Sequence, residues 1–336
     1  MTRQRSALAC IAVAGVLIAP QAANADMGKA PATQGIIVSI EGGYLHQSGP
    51  DIVGFGTSPS LITLPLAGNE VITDKTLSPE DGYFIGGSIG VDTGAPYLFN
   101  FFHRIELYGL YGETDDSARA SSPPTGDIAL TAVDGTVLGV NGRTGRTTVE
   151  RTTWEGALRF EGDDRVDSST TVTYVIAPFI RGFEEDSRTS VTACCDFGRT
   201  SSVDATLYGI YIAAEPETWL TPNFALVARG GVGVYGYDAD GSFRSYGDAY
   251  TTGDFDAAVS DGDSGAGFRG LLGVGLKFKI APTALLEGFA EADYFSKVPT
   301  AKLITNSIDG GFVSHVGDDD LWELRAGGRL TIGLGN

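Results

Sequence analysis

Three histidines are the side chains in this 336-residue chain whose neighbours could support acid–base chemistry. His46 precedes Ser48 and Asp51, His103 follows Phe101-Phe102, and His315 precedes Asp318. An Asp–His pair can polarise water or a serine hydroxyl. His46 and His315 would approach one another if they lay near the rim of a closed barrel in which the first and last strands pair. No serine, however, sits in a recognisable nucleophile motif, so the expectation is a protein without catalytic residues, not an enzyme. Cys194 and Cys195 are adjacent in a polar segment and are expected to be an oxidised vicinal pair stiffening a loop. Too few further ligands surround them for a zinc site, and no metal site or cofactor is expected.

A second set of reactive groups falls at alternate positions within apolar segments. By the alternation Glu41, Arg104, Glu106, Arg151, Glu155, Arg159, Arg181, Arg229, Arg269, Lys277, Glu287, Glu291, Asp293, Glu323, Arg325 and Arg329 fall on the inward face, opposite the apolar one. Both signs occur in similar number. If these side chains point into a narrow lumen, they can pair across the wall as a structural network or act as selectivity rings of a pore.

Ten segments must position them, each alternating apolar with small or polar residues at the strand period. They are Gly35–Gln47, Gly82–Asp92, Phe101–Gly112, Thr147–Glu161, Thr170–Gly182, Asp204–Ala214, Phe224–Tyr237, Gly267–Ile280, Ala284–Ser296 and Leu321–Leu334. Helical periodicity is nowhere sustained. In the last segment Trp322, Leu324, Ala326, Leu330, Ile332 and Leu334 oppose Glu323, Arg325, Arg329 and Thr331. Alternation alone does not say which face is buried, because soluble sandwiches and barrels show it too. The connections decide: they run long, short, long, short to the end of the chain, as in a transmembrane barrel with long external loops and short periplasmic turns. Ala281-Pro282-Thr283 predicts a tight hairpin, and Pro216, Trp219 and Pro222-Asn223 predict a turn with an interfacial aromatic. Ile128–Val140, with Asp134-Gly135 between two apolar runs, predicts a further hairpin projecting above the membrane.

Location and charge agree with this reading. Arg3 and Arg5 precede an apolar run from Ala7 to Ala19, and Ala23-Asn24-Ala25 offers a small-x-small cleavage site, so residues 1–25 are expected to be a signal peptide and 26–336 the barrel. The net charge of −19 becomes −21 once the two leader arginines are removed, which excludes nucleic acid as a natural partner. Much of that charge lies between Tyr237 and Gly267, where Asp238, Asp240, Asp248, Asp254, Asp256, Asp261 and Asp263 face one Arg244. Acidic loops beside lipopolysaccharide are expected to share divalent cations with it.

The Ala-Asn-Ala site, the stretch Gly82-Tyr83-Phe84-Ile85-Gly86-Gly87 and the stretch Trp219-Leu220-Thr221-Pro222-Asn223-Phe224 resemble bacterial outer-membrane β-barrels of the small, OmpA-like and porin-like kind. The resemblance covers the whole mature chain and rests on texture. It implies an all-β fold: a single antiparallel transmembrane β-barrel of about ten strands, with eight or twelve possible, in the outer membrane of a Gram-negative cell. The expected function is a narrow passive channel for small solutes or ions, with a closed structural or surface-interaction barrel as the alternative and an outer-membrane hydrolase as a distant one.

Overall fold

The computed structural model describes residues 35–49, 52–58, 73–78, 80–94, 101–121, 127–134, 137–140, 144–192, 196–249, 253–303 and 314–335. The proposed leader and Cys194-Cys195 lie outside them. The strands are β1 (Gly35–Ser48), β2 (Ile52–Ser58), β3 (Thr73–Leu77), β4 (Asp81–Asp92), β5 (Arg104–Ser121), β6 (Asp127–Thr131), β7 (Val137–Val140), β8 (Thr144–Arg165), β9 (Thr170–Thr192), β10 (Asp196–Thr221), β11 (Phe224–Ala249), β12 (Gly253–Ala281), β13 (Ala284–Lys302) and β14 (His315–Gly335). Ten of them close into one antiparallel barrel in the order β1, β14, β13, β12, β11, β10, β9, β8, β5, β4, with β4 pairing back onto β1. The ten strands expected from alternation all appear in it.

Short turns close one end. Between β8 and β9 the Asp167 carboxylate accepts from the backbone N–H groups of Ser169 and Thr170 at 2.7 and 2.8 Å, an Asx-type closure that a short acidic side chain makes locally. Between β12 and β13, Ala281 pairs with Ala284, leaving a two-residue turn. Trp219 is not in a turn: β10 runs on through Pro216 to Thr221, and the indole is buried beside Ala225 and Leu285 while its N–H donates to Glu217 at 2.6 Å. The strand survives Pro216 because the ladder to β11 has a gap between Ala214 and Glu217.

The other end differs from expectation. The segments read as long loops after β9 and β11 are mostly continuations of the strands, and β12 alone is 29 residues long, whereas about ten cross a bilayer. The reason is an exchange of faces. In the first half of β11, Leu226, Val232 and Val234 point outward, and Arg229 points in. Beyond Gly236 the outward positions become Asp238, Asp240, Ser242 and Arg244, while Tyr237, Ala239 and Phe243 are buried inside. The period of two is unbroken, but apolar-out changes to polar-out at the height where lipid gives way to water. The same belt of exposed apolar side chains circles the barrel, including Ile40, Ile89, Leu107, Ile212, Leu272 and Leu324, and it makes this a transmembrane barrel.

The extension needs an apolar filling, and two connections supply it. β2, β3, β6 and β7 form a separate four-stranded sheet in the order β3, β2, β6, β7. Phe55, Ile128 and Leu130 pack against the inward-facing Val191 of β9 and Phe197 of β10. Two glycines permit the close fit: a Cβ at Gly54 would stand 2.2 Å from Thr147 Oγ1, and one at Gly145 would stand 3.0 Å from the Phe55 ring. Arg199 adds a hydrogen bond to the carbonyl of Gly54 at 2.9 Å, and Ser245 Oγ accepts from Val133 N–H at 3.0 Å. The hairpin expected to project above the membrane is therefore tucked against the inner wall. It escapes solvent because Ile128 and Leu130, apolar and alternate, have nowhere else to be buried.

Candidate functional site

Inside the membrane belt the bore is crossed by tiers of ion pairs. Nearest the short turns, Arg104 bridges Asp92 at 3.2 Å and Glu161 at 3.0 Å, and Arg159 bridges Glu161 at 3.0 Å and Glu215 at 3.1 Å. Lys277 meets Glu217 at 2.5 Å, and His103 lies between Asp92 and Asp163 at 3.2 and 3.3 Å. A cavity of about 110 Å³ opens among these residues, lined by Arg104, Glu106, Tyr108, Arg159 and Glu215; it holds room for a few waters.

In the middle tier Arg229 reaches Glu215 at 3.3 Å, Glu291 at 3.2 Å and also Glu287. Arg329 meets Glu41 at 2.5 Å and Glu287 at 3.4 Å, and Arg325 meets Glu291 at 3.3 Å. Tyr108 donates to the other oxygen of Glu41 at 2.7 Å.

The third tier spans the bore. Arg269 on β12 holds Asp293 at 2.6 Å and, across the lumen, Glu155 of β8 at 3.1 Å. Its guanidinium also stacks 5.0 Å from the Phe179 ring, 4.8 Å from Tyr211 and 5.0 Å from Phe295. Arg181 on β9 pairs with Glu155 at 3.1 Å and with Glu323 on β14. In the ring order β9 and β14 stand opposite each other, so a direct contact between their side chains crosses the whole diameter. Gln47 donates to the same Glu323 oxygen at 2.7 Å. Above it Arg151 pairs with Glu185 at 2.8 Å, both fully buried, and Glu185 accepts from Thr300 at 2.9 Å and from the Ala301 N–H at 3.0 Å.

All sixteen charged residues singled out by alternation lie on the inner face. Fifteen make these ion pairs; Glu106 lines the cavity, buried beside Arg104 and Arg159. Alternation did not single out Asp92, Glu161, Glu185, Glu215, Glu217 or the neutral Gln47. The signal was present for Glu161 and Glu185, which continue the parity of Arg159 and Arg181. Glu215 and Glu217 were hidden because Pro216 made the strand end too early.

The histidines do not assemble. His46 pairs in register with Leu324, and His315 lies nine residues further along β14, roughly 30 Å away at strand rise. His46 points outward, with Nδ1 3.0 Å from Asp81 Oδ1. Among the described residues no group of three or more His, Cys, Asp or Glu is arranged to hold a metal ion.

Outside, a row of tyrosines marks the upper edge of the belt, and each hands its hydroxyl to a carboxylate just above it: Tyr83 to Glu113 at 2.9 Å, Tyr208 to Asp238 at 3.3 Å, and Tyr44 to Asp81. Above this row, carboxylates stand side by side on the outer surface, Asp115 opposite Glu150 and Glu150 opposite Asp186 in register. Partial burial and then the neighbouring Glu113, Asp186 and Asp115 push the Glu150 carboxyl up, and partial burial with Asp186 and Asp240 does the same to Asp204. A carboxyl raised in the folded state contributes stability below its unfolded pKa, about 4.3 for Glu, and loses it as pH rises through the folded value. The double variant Glu150→Gln, Asp204→Asn should therefore gain in urea midpoint over the native chain at pH 7 and show no gain near pH 3.5; equal gains at both pH values would refute the repulsion.

No protein-family model matches the chain, and no curated protein matches it. Among solved structures it is similar to the outer membrane protease OmpT from Escherichia coli, at 12% identity over 90% of this chain and 97% of that one, with a TM-score of 0.43. It is also similar to a FadL homologue from Pseudomonas aeruginosa, at 9% identity over 89% and 90% of the two chains with a TM-score of 0.25. A third is the toluene transporter TodX from P. putida, at 6% identity over 92% and 94% with a TM-score of 0.24.

Proposed function

We propose that this protein is a closed outer-membrane barrel that carries a rigid, acidic β-extension outside the cell as an interaction surface and conducts no solute. The observation that carries the proposal is the Arg181–Glu323 pair, made between opposite walls and buried on both sides. A selectivity ring lines an open path and leaves its charges facing water. Here the charges face each other, and the inserted sheet fills the bore a second time above them. Its partners in this reading are outer-membrane lipid and lipopolysaccharide, whose headgroups meet the acidic row with divalent counter-ions between them.

Planar-bilayer recording of the refolded mature chain tests the proposal. The expected result is a silent bilayer at protein densities where insertion is independently verified. Discrete conductance steps that scale with salt would restore the narrow-channel reading.

A further inference from the structure

On the outer wall above the belt, two sets of charges stand close together and uncompensated. In a chain with 42 acidic against 23 basic residues, an exposed cation should find a carboxylate with ease. Arg244 lies 2.8 Å from Asp256, Lys302 2.9 Å from Asp319 and Lys297 4.0 Å from Asp318. Arg119, Arg146 and Arg188 are exposed on the same wall, yet none of them forms an ion pair among the described residues. They are neighbours. Arg119 stands directly opposite Arg146 in register, and Arg188 stands opposite Thr148, the next outward position after Arg146 on β8. Like charges set opposite one another across a ladder repel. An anion between them relieves the repulsion, and a guanidinium fork matches the oxygens of a phosphate.

The second set is the acidic row of Asp115, Glu150 and Asp186, in register on β5, β8 and β9 and likewise without an ion pair among the described residues. The neighbours that push the Glu150 carboxyl up all carry its own sign. Both sets line one groove of about 480 Å³, with Arg146 and Arg188 at its upper end and the three carboxylates at its lower end. The Thr200 hydroxyl lies beside Arg188. A polyanion would run into the carboxylates, and a simple cation would run into the arginines. A ligand that carries both charges suits the whole groove. On β9 Asp186 and Arg188 are two positions apart, about 7 Å along the strand. Ends so close call for a short zwitterion, such as a phosphate ester and a primary amine joined through two carbons. Thr148 is six positions above Trp154 of the belt, about 20 Å along the strand, so head groups of the surrounding bilayer lie below the groove.

We propose that this groove binds a phosphoethanolamine group, its phosphate among Arg119, Arg146 and Arg188 and its ammonium on Glu150 and Asp186. The inference refines the interaction-surface reading and rests on it for the outward placement of these rows; here the ligand's own amine stands where a divalent ion would. Conductance has no bearing on it, so a silent bilayer without binding strikes this site alone.

Equilibrium dialysis of the refolded mature chain in maltoside micelles with EDTA tests it, with radiolabelled O-phosphoethanolamine as the probe. The expected result is saturable uptake, displaced by inorganic phosphate or by ethanolamine only at about tenfold higher concentration, since each lacks the bonds of the other end. Arg188→Gln should weaken uptake about tenfold, the loss of one charge-assisted hydrogen bond. Glu150→Gln should weaken uptake of the zwitterion and leave competition by phosphate undiminished. Arg244→Gln, which removes a cation already paired with Asp256, should leave uptake unchanged. Glycerophosphoethanolamine, dialysed in parallel, separates the sources: uptake equal to that of the monoester supports a group in phosphodiester linkage, and uptake of the monoester alone supports a terminal or free phosphate ester. Heat-modifiable gel migration verifies folding of each variant. The proposal is overturned by absence of saturable uptake in the native chain, by phosphate alone competing as well as the zwitterion, by unchanged uptake in folded Arg188→Gln, or by an equal loss in Arg244→Gln.

Discussion

Replacing Arg269 by alanine should lower the unfolding free energy by about 3–5 kcal/mol, the loss expected when one member of a buried ion-pair network is removed and its partners stay behind. Asp293 would lose its closest cation, 2.6 Å away, and Glu155 one of its two cations at 3.1 Å, in a bore where neither can reach water. Three aromatic rings would also lose the cation stacked on them. The size of the effect comes from stranded charge rather than from the strength of the native pairs, because forming a buried pair costs desolvation on both sides. A second variant separates the two contributions. Arg269→Met with Asp293→Leu removes cation and anion together, and its loss should be clearly smaller than that of Arg269→Ala alone. Urea titration in detergent, followed by tryptophan fluorescence, reads both; a double variant as damaged as the single one would mean that packing, not charge, governs this tier.

The inserted sheet gives the second large effect, and a different kind. Phe55→Ala removes the ring that Ile128, Leu130, Val191 and Phe197 surround, and a buried Phe→Ala change costs about 3–5 kcal/mol. Here the loss falls on docking of the sheet rather than on the barrel, since Phe55 belongs to β2 and the barrel closes through β4 and β1 without it. Limited proteolysis should therefore cut within residues 50–80 or 122–143 at least tenfold faster, by the conversion of 1.4 kcal/mol per tenfold, while the barrel core stays resistant. The same variant should remain silent in a planar bilayer, because the Arg181–Glu323 tier lies below the sheet and does not depend on it. Conductance appearing in Phe55→Ala would show that the sheet, not the charge network, is the seal.

Much of this architecture was legible in the residues themselves. From Trp322 to Leu334 every second side chain is charged, small or polar and the others, Gly328 aside, apolar, and a one-residue slip would turn Arg325 and Arg329 into lipid; the pattern fixes strand, register and facing at once. Tight turns such as Ala281-Pro282-Thr283 fixed which neighbours pair. The sixteen charged candidates follow from the same parity, because each stands at an alternate position opposite the apolar face of its segment.

Three features were decided only by the folded chain. The height of the wall is one: from Tyr237 to Gly267 the alternation continues with the faces exchanged, and a period of two carries no mark of which side is water. The fate of Ile128–Val140 is another, since a short apolar hairpin buries itself equally well in several places until Gly54 and Gly145 offer a wall it can approach. The last is the seal itself. Arg181 and Glu323 are 142 positions apart in the sequence and sit on strands that never pair; they meet only because closing ten strands into one ring brings opposite walls within a side chain's reach.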